Sequence, residues 1–569
     1  MSNPDKSGKS NSSQPLRQSH EGSRRESLES FIVAFIIAYV VKSFAFEAFV
    51  IPTGSMAPTL MGQHKDYNCP QCGFLYAVSA SDGHGASQIA YGTCVNCRYT
   101  TEILENPVYS GDRILVLKTL FDIPARFGGG PPRRWDVTVF KYPEEPETNY
   151  IKRLVGLPGE ELRIERGDIY TRRLNSTEPF KIERKPLDHQ QAMQILVNDD
   201  AHRPALLKDD KRWSHWRSDE GGWAAGENGL YEATSSGGNW LDMRYEHRVP
   251  TPDQWRDIAT SRPLKVQPRS SLITDYYSYN TYLTRDSYDK QSWFQPHWVG
   301  DLSVEMLLQV DKPSGEFRIE LVEAGVANQF VVDLATGMGR MMRGGKQLAE
   351  AKTPIREGGR FKLRFANVDN RLTLWINHLT PFGAGVEYEP DAAEKKGPQA
   401  ADLKPVGVAV KDGKVSVSRL RLTRDIYYSI TPGGFDYGEN LWSAAIVDSS
   451  AFFDLISDPL KFVSFNETRH SDFPIADGRY MMMGDNSPLS KDSRAWTTTD
   501  RFDEASQSGW DDTNRQSWEV PERLIVGKAF MVYWPHAWSL GKWSFQINFR
   551  GRKIDFPFWP NFERMKVIR

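Results

Sequence analysis

The chain has 569 residues, a formal net charge of −2, 39% hydrophobic and 25% charged residues, so it is too long for a single core and has no bias toward nucleic acid. Aromatic residues make up 12%, including 17 Trp, and long stretches alternate apolar and polar residues. The chain therefore reads as mainly β, and a helical bundle is not expected.

Residues 1–30 are polar and carry Lys6, Lys9, Arg17, Arg24 and Arg25, which reads as a disordered cytoplasmic tail. Phe31 to Val41 is eleven apolar residues without a charge, and after Lys42-Ser43 the apolar character resumes at Phe44. Residues 31–50 are expected to form one short transmembrane anchor that leaves the rest of the chain on the extracytoplasmic side of the inner membrane. The alternative is a cleaved signal peptide ending at Ser43-Phe44-Ala45. Residues 51–65 enter as a strand and end in a Pro/Gly-bounded loop that presents Ser55.

All four cysteines follow within residues 66–101. Cys69-Pro-Gln-Cys72 and Cys94-Val-Asn-Cys97 are separated by twenty-one residues, close to the spacing of a four-thiolate zinc ribbon. A structural zinc is the first reading. Two disulfides are the second, because the compartment beyond the membrane is oxidising.

Residues 107–174 return to strand-like runs, 175–270 read as a connecting insert, and 271–426 as a β-sandwich of short alternating runs (LSVEMLLQV, GEFRIEL, GKVSVSRLRLTR). This insert resembles a concanavalin-like or laminin-G-like jelly roll, with a glycan or protein ligand or a plain spacer role as its expected uses. Residues 427–475 form a return segment, and 476–569 resume short strands. The last thirty residues combine seven Lys/Arg with Trp543, Phe545, Phe549, Phe556, Phe558, Trp559 and Phe562, which suits either a lipid interface or a core edge.

Four segments carry a resemblance. Ile51-Pro-Thr-Gly-Ser55-Met-Ala-Pro-Thr-Leu60, Gly111-Asp112-Arg113, Tyr150-Ile-Lys152-Arg153-Leu-Val-Gly156 and Gly484-Asp485-Asn486-Ser487-Pro-Leu-Ser490-Lys-Asp492-Ser-Arg494 stand in the order of the boxes of bacterial signal peptidase I, followed by Val520 to Phe530 as its closing strand. The chain resembles that family over about 200 residues (28–62, 107–172 and 476–536). The resemblance implies a β catalytic fold behind one membrane helix. It implies a serine endopeptidase that cuts signal peptides from exported preproteins, with Ser55 as nucleophile and Lys152 as general base.

The chemistry of those residues agrees. A serine hydroxyl needs an adjacent base, a lysine serves only when neutral, and the apolar run around Lys152 lowers its pKa. By resemblance the oxyanion donors are the Ser55 N–H and the Thr53 hydroxyl. Ser490 matches the residue that holds the lysine, and Asp485, Asp492, Arg494 and Arg153 match charged residues that brace the site. Phe49, Ile51, Met56 and Met483 are the expected wall of pockets for small residues. Catalysis needs no cofactor. A Ser55-His64-Asp triad is the rival for the base. A binding or scaffold protein that works through its sandwich, with an inactive peptidase core, is the rival for function.

Overall fold

The computed structural model describes residues 20–40, 45–81, 89–121, 129–219, 221–226, 229–284, 295–357, 359–391, 394, 397–431, 436, 449–465, 470–496, 516–535, 537–539, 545–549, 552–556 and 558–569. It is mainly β. In chain order it begins with helix α1 (His20–Val40) and strands β1 (Phe46–Val50), β2 (His64–Asn68), β3 (Leu75–Ser79), β4 (Ile89–Thr93), β5 (Thr100–Glu102), β6 (Arg113–Leu117), β7 (Val137–Tyr142) and β8 (Glu145–Gly156).

Two expectations about the N-terminus need correction. Residues 20–30, expected in the disordered tail, are helical, and residues 46–50, expected in the anchor, are a strand paired with β6 from Phe46↔Leu117 to Val50↔Arg113. The first half of α1 is charged (Glu21, Arg24, Arg25, Glu26, Glu29), and among the described residues no helix is long and apolar enough to cross a membrane. Residues 1–19, and Ser43 and Phe44 of the expected cleavage site, lie outside the described residues.

The sheet that carries Lys152 is a seven-stranded antiparallel layer in the order β1, β6, Ile525–Trp534, β7, β8, Arg479–Met483, Val520–Pro521. The strand Ile525–Trp534 sits between β6 and β7, so the separate pieces of sequence interleave into one sheet. Its strands are read by alternation: in β6 Ile114 and Val116 face a core shared with Ile51, Met56 and Leu60, while Arg113, Leu115 and Leu117 are partly exposed. Beside it the strands Glu160–Glu165, Asp168–Arg173, Lys181–Ile182 and His470–Pro474 form a four-stranded sheet.

The sandwich is two antiparallel sheets sharing one apolar core built on residues such as Phe317, Phe330, Phe365, Val408 and Val417. It does not begin at residue 271. Ile195–Asp199, Tyr231–Thr234 and Trp223–Ala225 join one sheet, and Trp216–Arg217 and Leu241–Tyr245 the other. Strands of two to five residues are too short for a period of two to show against the surrounding loop.

At the C-terminal end, Val532 N–H donates to Lys566 O, Ile568 N–H to Phe530 O, and Arg564 pairs with buried Asp112. These contacts tie residues 564–568 to the sheet, while Phe562 stays exposed. Trp543 lies outside the described residues, and the other aromatic positions at 545–559 fall on short strands, Phe545–Phe549 paired with Arg552–Phe556 and Phe558–Pro560 with Ala537–Ser539.

Candidate active site

β1 delivers the chain to a single 3-10 turn, Gly54–Met56, with Ser55 8% exposed. The approach is crowded: a Cβ on Gly111 would fall 1.8 Å from the Ile51 carbonyl oxygen, and one on Gly62 would fall 2.2 Å from the Thr53 carbonyl carbon. Only glycine permits that closeness. The turn is held by Ala57 N–H to Gly54 O (3.0 Å), by Asn486 N–H to Ser55 O (3.0 Å) and by the Asn486 side-chain amide to Gly54 O (3.2 Å). Gly54 N–H donates to Ser81 Oγ at 3.2 Å.

Lys152 lies on β8 opposite Thr138 of β7, 4% exposed, with Nζ 2.5 Å from Ser55 Oγ. Burial pushes its pKa down to about 8, while Asp492 and Asp485 pull it up and Arg494 adds to the lowering. At neutral pH roughly one lysine in ten is then the free base, against fewer than about one in a thousand at the ordinary value.

Two buried arginine–carboxylate pairs frame the amine. Arg153, next on β8, grips Asp485 through Nε–Oδ1 (2.7 Å) and Nη2–Oδ2 (2.6 Å), and donates to Trp135 O and Thr59 Oγ1. Arg494 grips Asp492 through Nε–Oδ1 (2.9 Å) and Nη2–Oδ2 (2.7 Å), and reaches Ser429 and Ser487. Burial works to raise the Asp492 carboxyl, but Arg494, the Gly484 N–H and Lys152 together hold it below the usual carboxylate range. Such bidentate pairs fix direction as well as charge.

The remaining expected residues are placed as follows. Thr53 caps the turn from an exposed position without a side-chain capping bond. Ser490 is buried beside the dyad, where a Cβ on Gly484 would fall 2.2 Å from its Oγ and 2.4 Å from Ser55 O. Its hydroxyl has no hydrogen-bond partner among the described residues, so it is at the site without holding Lys152. Ile51, Met56 and Met483 are fully buried in cores and do not form an open pocket wall; Phe49 packs partly buried on the same core as Met56. His64 turns Nδ1 to Gly62 O (2.7 Å) and Nε2 toward Asp66 (3.5 Å). Sequence reading did not single out Asn486, although it stands in a quoted box, nor Ser81, Tyr279 and Asn280, which no local pattern marks.

The four cysteines sit on the knuckles of two hairpins, β2–β3 and β4–β5, all buried and all free thiols. Cys69 and Cys97 sulfurs are 3.5 Å apart, Cys72 and Cys94 sulfurs 3.6 Å, and all four lie within 4.8 Å of one another. A tetrahedral zinc with Zn–S of about 2.3 Å spaces its sulfurs by roughly 3.8 Å, whereas a disulfide needs about 2.05 Å. The donor set therefore fits the metal.

Residues 89–211, which contain Lys152 and the second cysteine pair but not Ser55, match the family described as signal peptidase, peptidase S26. Among individual relatives, signal peptidase I of Pseudomonas aeruginosa is 34% identical over 158 residues, covering 26% of this chain and 41% of that protein. Signal peptidase I of Pseudomonas fluorescens is 33% identical over 136 residues, covering 24% and 33%, and that of Buchnera aphidicola subsp. Acyrthosiphon pisum is 28% identical over 143 residues, covering 25% and 32%. The chain thus spans 32–41% of the length of these relatives. A carbohydrate-binding module, CBM66 from Bacillus subtilis, covers 37% of this chain and 96% of its own at 11% identity, with a TM-score of 0.22, a likeness that carries no argument.

Proposed function

We propose that this chain is a signal peptidase I, a serine endopeptidase that removes signal peptides from exported preproteins through a Ser55–Lys152 dyad. The observation that carries the reading is the 2.5 Å contact between Lys152 Nζ and Ser55 Oγ, made where burial brings the amine to a pKa of about 8. Ser55 Oγ attacks the scissile carbonyl carbon as neutral Lys152 takes its proton. The oxyanion that forms is received by the Ser55 N–H and the Thr53 hydroxyl. The C–N bond then breaks, the lysine ammonium protonates the leaving amine, and an acyl-Ser55 ester remains. Water attacks that ester with Lys152 again as base.

Arg153, Asp485, Asp492 and Arg494 support the dyad, and Cys69, Cys72, Cys94 and Cys97 would hold a structural zinc that leaves no position open for substrate. Attachment to the inner membrane, with the catalytic sheet on the extracytoplasmic side, is supported by α1. Its residues Phe31, Ile32, Val33, Phe35, Ile36, Ile37 and Tyr39 are all exposed, and a bare apolar surface of that kind suits lipid. The sandwich remains available for a glycan or protein ligand.

Cleavage of a test preprotein by the purified full chain, lost in its Ser55→Ala form, tests the activity. Cleavage that survives the substitution overturns it. Metal analysis of protein purified without chelator is expected to find about one zinc per chain; two disulfides would exclude it.

A further inference from the structure

The nucleophile turn is held by more than the catalytic sheet. A strap, residues 275–284, runs from the sandwich across the cysteine hairpins. At one end Arg424 donates to Asp275 O (2.6 Å) and Tyr276 O (3.2 Å). At the other, Thr93 N–H donates to Thr281 Oγ1 (3.1 Å), and the strand Leu283–Thr284 pairs with β4. In between, the turn Ser278–Asn280 meets the nucleophile: Tyr279 packs on Ala57 and Met61, and a Cβ on Gly54 would lie 2.3 Å from its ring.

Asn280 and Asn486, both buried, form a reciprocal amide pair with each Nδ2 donating to the other's Oδ1 at 2.8 Å. Asn486 then spends its remaining donors on the turn, its side-chain amide on Gly54 O and its backbone N–H on Ser55 O. Asn280 thus fixes which end of the Asn486 amide faces Gly54. Turned over, that amide would set its oxygen against a carbonyl oxygen. The Gly54–Ser55 peptide is planar, so holding its carbonyl sets the direction of its N–H. A glycine on one side of that plane has little torsional preference of its own to do so.

We infer that Asn280 is a positioning residue for the proposed peptidase: acting through Asn486, it aims the Ser55 N–H at the developing oxyanion. The inference rests on the Ser55–Lys152 reading and adds to it a part supplied by the insert, outside the segments that resemble the peptidase core.

Steady-state cleavage of a test preprotein by the full chain and its variants tests it. Asn280→Ala is expected to lower kcat by roughly 10–100-fold, less than or comparable to loss of an oxyanion donor, with KM and the pH midpoint of the acid limb unchanged. Asn280→Asp, which keeps shape and the acceptor for Asn486 but loses the donor, is expected to fall between wild type and Asn280→Ala. The double variant with Asn486→Ala should be no slower than Asn486→Ala alone. Unchanged kcat in both Asn280 variants, a change confined to KM, or a loss that multiplies with Asn486→Ala overturns the inference while leaving the dyad standing. Cleavage that persists in Ser55→Ala overturns the dyad and the inference together.

Discussion

Among the described residues Lys65, Lys152 and Lys185 are almost completely buried, and the last two meet opposite electrical surroundings. Lys152 faces a neutral hydroxyl, and its pKa falls to about 8. Lys185 places Nζ 2.7 Å from Asp369 and 2.7 Å from Asp425; burial works against its charge, but the two carboxylates hold its pKa well above the ordinary value. Depth is the same and outcome is not. The carboxylates nearest Lys152, Asp485 and Asp492, are already committed in two-point pairs to Arg153 and Arg494. Between these two sites the difference is whether the neighbouring acids are already paired with arginine.

Removing the base itself has the largest expected effect. Lys152→Ala and Ser55→Ala should each lower the cleavage rate by about 10⁴-fold or more, with the double variant no worse, because the pair acts as one unit. Lys152→Arg should fail equally, since a guanidinium keeps its proton. At Lys185 the same logic is read in stability. Asp369→Ala leaves the buried ammonium with Asp425 as its one remaining carboxylate and is expected to cost about 1–3 kcal/mol, seen in chemical denaturation, while cleavage by the folded fraction continues.

The arginines sharpen the comparison. Activity should rise with pH through an acid limb centred near pH 8, because the protonated lysine is inactive and the free base active. Arg494→Met exposes Lys152 to an unshared Asp492 and makes its surroundings more like those of Lys185. The limb should move to higher pH, with kcat/KM near pH 7 falling roughly tenfold and recovering in alkali. A limb that stays in place would mean that Arg494 does not screen the amine. The smallest effect is expected at Ser490: its hydroxyl has no hydrogen-bond partner among the described residues, so Ser490→Ala should lower kcat by less than about tenfold.

The contact of Lys152 with Ser55, on which the proposed dyad rests, was legible because its residues stand in boxes whose order along the chain survives two long insertions. The contacts between boxes, such as Arg153 with Asp485, follow from strand order: the strand Arg479–Met483 lies next to β8. The sandwich was legible where strands reach eight to eleven residues, as in Leu302–Lys312 and Glu316–Glu323, and illegible where Trp216–Arg217 offers two. Residues 46–50 were read into the expected anchor because Phe46–Val50 is apolar enough to extend a membrane segment, yet they form a strand paired with β6. Asn280 carried no signal, since its partner is 206 positions away and its neighbours in sequence serve other contacts.

The pair between Arg564 and Asp112 gives the site a place in time. Those residues are separated by 452 positions, and the amide of Asn486 reaches Gly54 across 432. A chain made from its N-terminal end displays Ser55 early and Lys152 soon after, but the groups that close around them emerge only after both inserts. Closing loops of that length costs entropy that no local contact repays. The contacts around Ser55 and Lys152 can therefore close only once the chain extends past Asn486 and Arg564.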